Sequence, residues 1–511
     1  MAYSFLVQAK LEGKTPLQMA SPNIISFFFF SNSLISILIL MVFLEKGYAL
    51  ERREGAEVNK VYHTIHITSL IPSSSSSTPC KLSSSSTQGP SKRSSSLEVT
   101  HRHNPCQQKK KNNNNNIKEP SLAEILDKDQ SRVNSIHGRL SFNAGINKFK
   151  GSKATNLPAK SGATIGTGNY IVNIGLGTPQ KTLSLVFDTG SDLTWTQCQP
   201  CARFCYKQQD PIFDPSSSTS YANITCTSSQ CSALSSATGN KPGCSTTTCV
   251  YGIQYGDQSF SVGFFSKEKL TLTPTDVFDN FLFGCGQNNR GLFGNTAGLL
   301  GLGRDSLSLV SQTSQKYGKV FSYCLPTKSG SNGHLTFGKS GVPSRAQYTP
   351  LTNTQKGTFY FVDILGISVG GTQLSISQSI FKTAGTIVDS GTVITRLPPT
   401  AYNAMKTAFK QQMTKYPSAP AVSILDTCYD FSNFTTVQIP KIAFTFGGNV
   451  KVDLPVQDIL VAASQSAVCL AFAGNGDDSD TGIYGNIQQQ TFEVIYDVAG
   501  GKLGFGLNGC S

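Results

Sequence analysis

The sequence predicts an all-β chain of two duplicated lobes with a cleft between them. Three observations carry that expectation. A tetrapeptide pattern occurs twice, as Asp188-Thr189-Gly190-Ser191 and Asp389-Ser390-Gly391-Thr392, 201 positions apart, each after an apolar run. In each half a glycine-ended, strand-like stretch follows: Leu299-Leu300-Gly301, 111 positions after Asp188, and Ile483-Tyr484-Gly485, 94 positions after Asp389. A recurrence on that scale is the duplication of a whole lobe. From Gly168 onward glycine punctuation is dense, and alternation such as Leu270-Thr271-Leu272-Thr273 suits half-buried antiparallel strands. Helical spacing there is confined to 400–415 and a short stretch near 306–317.

The repeated motif implies chemistry. Two carboxylates held close cannot both ionise cheaply, so they share one proton and titrate as a pair. The ionised one can take a proton from water while the protonated one donates to a substrate carbonyl. Gly190 and Gly391 let the two turns approach each other. The hydroxyls of Thr189, Ser191, Ser390 and Thr392 are expected to orient the carboxylates by hydrogen bonding. Between the two motifs, Val250-Tyr251-Gly252-Ile253-Gln254-Tyr255-Gly256-Asp257 reads as a β-hairpin over the cleft. Tyr255 is expected there to pair with Trp195, the single tryptophan, with Gly256 beside it.

On these motifs, and on the cysteine-rich insert after the first aspartate, the chain from about Gly168 to Cys510 resembles the pepsin-family aspartic proteases. The run Asp188-Thr189-Gly190-Ser191-Asp192-Leu193-Thr194-Trp195 is similar to the plant nepenthesin-like branch. The resemblance implies a bilobal pepsin-like acid protease fold and an aspartic endopeptidase. It makes Asp188 and Asp389 the catalytic pair, Tyr255 the flap tyrosine, and Trp195 and Gly256 its neighbours over the substrate. Such enzymes are the standard example of a carboxyl pair sharing one proton. They need no cofactor, no metal and no covalent intermediate. Asp257 departs from the pattern by placing a carboxylate near the cleft, and the insert could reshape access to it.

Charge is unevenly placed. Residues 156–511 carry 23 Lys+Arg and 20 Asp+Glu, so the first 155 carry 43−23=20 basic and 30−20=10 acidic residues. The net +13 of the whole chain is therefore mostly a property of the N-terminal third. Some plant relatives resemble a chloroplast nucleoid DNA-binding aspartic protease, and Lys109, Lys110 and Lys111 offer the electrostatic means. A solvated basic prosegment is the plainer reading, and DNA binding is not expected. A catalytically silent cleft-binding protein is a further alternative, opposed by two intact aspartates with their hydroxyl neighbours.

Twelve of the 14 cysteines fall in the protease region: Cys198, Cys201, Cys205, Cys226, Cys231, Cys244, Cys249, Cys285, Cys324, Cys428, Cys469 and Cys510. An even set suggests disulfides and an oxidising compartment. Cys428 and Cys469 read as a pair within the second lobe. A zinc site is the competing reading at Cys198 and Cys201, which have ligand spacing. Cys80 and Cys106 stand outside the set.

The N-terminal third reads as leader and prosegment. The apolar run 24–44, followed by Ala49, suits a cleaved signal over 1–49, with Met19 as a possible start and an uncleaved anchor as the alternative. Residues 50–118 are low-complexity, with serine, lysine and asparagine runs that cannot fold alone. Leu122, Ile125, Leu126, Val133, Ile136 and Leu140 then recur at helical spacing, with Ser121 as cap. By resemblance this prosegment, within 50–155, covers the cleft as an intramolecular inhibitor. The lobes are expected over 156–345 and 346–511. A secreted, apoplastic monomer acting on peptide substrates is expected, without a stable membrane anchor and with vacuole or plastid as alternatives. Asn223 and Asn433 stand in glycosylation sequons.

Other chemistries fit poorly. Five of six histidines precede residue 150, and the remaining one, His334, reads as part of a surface turn. A Ser-His-Asp or Cys-His hydrolase would depend on that one residue. No Gly-x-Ser-x-Gly, His-Glu-x-x-His or Walker-type loop occurs.

Overall fold

In the computed structural model, each repeated tetrapeptide closes the same local arrangement of strands. The structure describes residues 61–70, 95–101, 121–143, 170–255, 259–291, 293–327, 333–352, 357–464, 466–507 and 509, all within one compact unit. Lys181–Asp188 runs parallel to Gly298–Gly301, with Phe187 opposite Leu300. In the second half Thr386–Val388 runs parallel to Gly482–Tyr484, with Ile387 opposite Ile483. Trp195 pairs antiparallel with Leu299, and Arg396 does so with Ile483. These inner strands are wholly buried and almost entirely apolar, as strands covered on both faces must be. Glycine is required at Gly301, where a Cβ would stand 2.2 Å from the Asp192 carbonyl oxygen.

The two halves are joined through a shared sheet. Glu493–Asp497 and Lys502–Gly506, at the C-terminal end of the second half, pair with Val320–Cys324 and Gln347–Pro350. An aromatic group fills the space beneath it: Phe321 stacks on Tyr496 at 4.5 Å, and Tyr360 meets Tyr496 at 4.6 Å. The Tyr323 and Tyr496 hydroxyls lie 2.9 Å apart, so this apolar layer keeps its polar tips satisfied.

Within 50–118, residues 61–70 and 95–101 are ordered despite the composition around them. Tyr62–His66 pairs antiparallel with Thr436–Pro440 in a two-stranded sheet. Ser96–His101 lies between Gly333–Phe337 and Tyr170–Leu176, with Leu97, Val99 and His101 buried. Neither segment could fold alone. Each gains its backbone hydrogen bonds from strands distant in sequence. His334 also differs from expectation. It lies within Gly333–Phe337, not in a turn, and its Nε2 meets the buried Glu493 carboxylate at 2.7 Å.

The helix expected at 400–415 forms as Pro399–Gln412, and the shorter stretch as Leu309–Gln312 and Ser314–Tyr317. The N-terminal amphipathic stretch forms Leu122–Asn143. Ser121 and Glu124 cap it reciprocally: Ser121 N donates to Glu124 Oε2 at 2.8 Å, and Glu124 N donates to Ser121 Oγ at 3.3 Å. Its apolar face splits between two clusters. Ile125 and Leu126 pack with Val393, Ile394 and Leu425. Val133, Ile136 and Leu140 pack with Phe359, Phe361, Ile387 and Ile483. Each such side chain contributes up to about 1.5–3 kcal/mol on burial, so the helix is held by the body of the two lobes.

Disulfides join Cys198 to Cys285, Cys201 to Cys205, Cys226 to Cys244, Cys231 to Cys249 and Cys428 to Cys469. Cys324 is also disulfide-bonded, whereas Cys80, Cys106 and Cys510 lie outside the described residues. Cys198 and Cys201, spaced like zinc ligands, are thus both committed to sulfur.

Candidate active site

Asp188 ends one inner strand and Asp389 follows the other, and both are buried. Their settings repeat. Gly190 N donates to Asp188 Oδ1 at 2.9 Å and Ser191 Oγ to Oδ2 at 2.7 Å. Gly391 N donates to Asp389 Oδ1 at 3.2 Å and Thr392 Oγ1 to Oδ2 at 2.5 Å. In each carboxylate one oxygen is thus held by a backbone N–H and the other by a hydroxyl. The turns interleave: a Cβ on Gly190 would lie 2.8 Å from Asp389 Oδ1, and one on Gly391 would lie 2.7 Å from Asp188 Oδ1. Any larger residue would push the pair apart.

Thr189 and Ser390 act differently from expectation. They do not touch the carboxylates. Ser390 N donates to Thr189 Oγ1 at 2.9 Å, and Thr189 N donates to Ser390 Oγ at 3.2 Å. Two buried backbone N–H groups are satisfied across the junction, which fixes one turn against the other. Further support comes from residues the sequence reading did not single out. Asn486 Nδ2 donates to Ser390 O at 2.9 Å, and Gln489 Nε2 donates to Asp389 O at 3.2 Å.

Trp195 Nε1 donates to the Tyr255 hydroxyl at 2.8 Å. Phe293 packs edge-on against both rings, at 4.8 and 5.5 Å. Burial, foremost, pushes the Tyr255 hydroxyl up, so it stays protonated. Gly256 and Asp257 lie outside the described residues, as do the apolar run 24–44 and Lys109–111. Asn223 and Asn433 are exposed.

The dyad is covered by the helix Leu122–Asn143. Arg132 lies across both carboxylates. Its Nη2 donates to Asp188 Oδ1 at 2.6 Å and to Asp389 Oδ1 at 2.9 Å, and its Nε donates to Asp389 Oδ2 at 3.0 Å. Burial works against the guanidinium, but the two carboxylates more than offset it and hold its pKa above the usual value. Burial likewise pushes Asp188 up, yet Arg132 and the neighbouring donors bring it below the ordinary carboxylate value. Arg139 Nη2 donates to Gly190 O at 3.1 Å, and its guanidinium lies 4.8 Å over the Phe359 ring.

Three residues before Arg132, the buried Asp129 carboxylate accepts from Val393 N at 2.5 Å, Ile394 N at 3.2 Å and Arg396 Nη2 at 2.9 Å. Burial is the largest influence on each partner, raising Asp129 and lowering Arg396, and their mutual attraction opposes it. The sequence held one signal for this arrangement. Asp129, Arg132 and Arg139 fall at the helix's own apolar spacing, so charges interrupt the stripe that packs inward. One more carboxyl lies close by. Asp192 is buried, accepts from Thr358 Oγ1 at 2.5 Å and Asp305 N at 2.9 Å, and is pushed up to about 7, chiefly by burial.

Family models described as Xylanase inhibitor N-terminal and Xylanase inhibitor C-terminal match residues 170–339 and 359–506. An aspartyl protease family protein of Arabidopsis thaliana is 55% identical over 482 residues, covering 94% of this chain and 99% of the relative. The chain belongs to the aspartyl protease family. Its enzyme class is that of the aspartic endopeptidases. The aspartic proteinase nepenthesin-2 of Nepenthes gracilis is 37% identical over 384 residues, covering 73% of this chain and 82% of that one. Among solved structures, conglutin gamma from lupine seeds matches with a TM-score of 0.53 at 23% identity, covering 66% of this chain and 91% of that chain. At that identity the likeness speaks for the pepsin-like bilobal fold of this aspartyl protease and for nothing beyond it.

Proposed function

We propose that this aspartyl protease is the latent precursor of a secreted acid endopeptidase that uses Asp188 and Asp389 as its catalytic pair. The observation that carries the reading is the repeated geometry of the two carboxylates, each held by its own Gly N–H and hydroxyl and facing the other's turn. A water between them gives a proton to the ionised aspartate as its oxygen attacks the scissile carbonyl. The protonated aspartate gives its proton to the carbonyl oxygen, forming a neutral tetrahedral diol. The proton taken from water then passes to the leaving amine as the C–N bond breaks, and a diol hydroxyl returns its proton to the other aspartate as the product carboxyl forms. General acid–base transfer of this kind contributes ~10²–10⁴-fold. Tyr255, held by Trp195, closes over an extended peptide.

In the precursor the Arg132 guanidinium stands where that water would sit, so the helix Leu122–Asn143 is an intramolecular inhibitor. Removing it opens the cleft. Secretion is supported by the disulfides, which persist in oxidising compartments. The test is substitution of either aspartate. Asp188→Asn and Asp389→Asn should each abolish peptide cleavage by the processed protein without unfolding it. Turnover by either variant, with contaminating peptidases excluded, would overturn the assignment.

A further inference from the structure

We infer that the open cleft of this protease carries a carboxylate-binding subsite, formed by the Arg396 guanidinium and the N–H groups of Val393 and Ile394. It would select substrates with an acidic side chain at one position near the bond cut. The inference rests on the endopeptidase reading and on departure of the helix Leu122–Asn143.

The subsite is already occupied in the precursor, by Asp129. That carboxylate receives two backbone N–H bonds and one guanidinium bond, and neither it nor Arg396 is exposed to solvent. The donors belong to the protease body and directly follow the motif Asp389-Ser390-Gly391-Thr392. Arg396 is positioned by its strand, Thr395–Leu397, and by its antiparallel pairing with Ile483. Among the described residues no carboxylate other than Asp129 forms an ion pair with it. Its Nε and Nη1 are buried and have no hydrogen-bond partner. When the helix leaves, a buried cation and two backbone donors lose their acceptor together. An unmet buried donor is costly, and a charged one more so. A ligand carboxylate restores all three bonds.

The helix also marks where the subsite lies. Asp129 and Arg132 are three residues apart on one face, about 4.5 Å along the axis. A bound peptide in extended form advances about 3.3 Å per residue. The subsite therefore lies within about three substrate residues of the dyad that Arg132 covers. An amide side chain in place of the carboxylate would bring one acceptor and no charge. The expected discrimination between Glu and Gln is about 10- to 100-fold, the range for a hydrogen bond to a charged group.

The experiment uses processed protein and matched peptide sets. Each set carries Gln or Glu at one of the three positions on either side of the cleaved bond, and kcat/KM is measured from pH 4 to 6. The expected result is a preference for Glu of about 10-fold or more at one position. It should fade as acid protonates the peptide carboxyl, and it should be lost in Arg396→Gln. Equal cleavage of Glu and Gln peptides at every position would overturn the subsite while leaving the endopeptidase reading in place. That comparison needs no variant, so poor folding of Arg396→Gln cannot shield the proposal. A Glu preference kept in folded Arg396→Gln would overturn the role of Arg396. Protein that cuts neither peptide would overturn the endopeptidase reading, and the subsite with it.

Discussion

Replacing Arg132 by Met should release the activity of the unprocessed chain. Arg132 makes short bonds to both Asp188 and Asp389, and all three side chains are largely shielded from solvent. Methionine keeps much of the side-chain volume and removes the charge. The helix would then cover two carboxylates with no counter-charge, and one of them would have to take up a proton. Breaking a buried ion pair by removing one partner costs about 3–5 kcal/mol. Charged to the docked state alone, that raises the open fraction by roughly 10²- to 10³-fold or more. The rest of the helix opposes release, because Val133, Ile136 and Leu140 remain buried against Phe359 and Ile483. The assay is turnover of a quenched fluorescent peptide by intact precursor near pH 6, with gel analysis confirming that the chain is uncut. Intact Arg132→Met should exceed intact wild type by two orders of magnitude. A variant as latent as wild type would refute the lock.

Two further outcomes follow from the site's carboxyls. Asp188 is held below the ordinary carboxylate value by the docked helix, although burial opposes this. A depressed carboxyl adds docking strength that is whole above its undocked pKa and lost as pH falls through the docked one. The helix should therefore loosen below about pH 4, and hydrogen exchange across 122–143 should rise there. Asp129 pulls the opposite way, since burial raises it; exchange that slows with acid would show that Asp129 wins. Asp192 is raised to about 7, chiefly by burial, so the fold binds its proton more tightly than the unfolded chain does. The sign makes this group destabilising as pH climbs from about 4 to 7, with a slope of at most about 1.4 kcal/mol per pH unit. Asp192→Asn should flatten the fall of Tm over that window, and an unchanged profile would count against the shift.

The twin motif was legible in the sequence because its chemistry lies in two short tetrapeptides and the apolar strands before them. Glycine-ended strands such as Leu299-Leu300-Gly301 were legible for the same local reason. The roles of Thr189 and Ser390 were not, because their partners are backbone groups 201 positions away. Ser96–His101 lies inside a low-complexity stretch and becomes a strand through Gly333–Phe337 and Tyr170–Leu176, which flank it. His334 sits among glycine and serine and is placed by Glu493, 159 positions on. In sequence, Arg132 is one of several charges on an amphipathic helix. Only its register with Asp129 and Arg139 on the apolar side hinted otherwise.

Peptidase activity of acid-treated protein from about pH 3 to 7, with and without pepstatin, tests the catalytic pair most directly. Pepstatin imitates the tetrahedral state and binds where both aspartates meet it. Acid-dependent cleavage that pepstatin blocks is the predicted result. Folded, processed protein that cleaves nothing, or cleaves regardless of pepstatin, would contradict it.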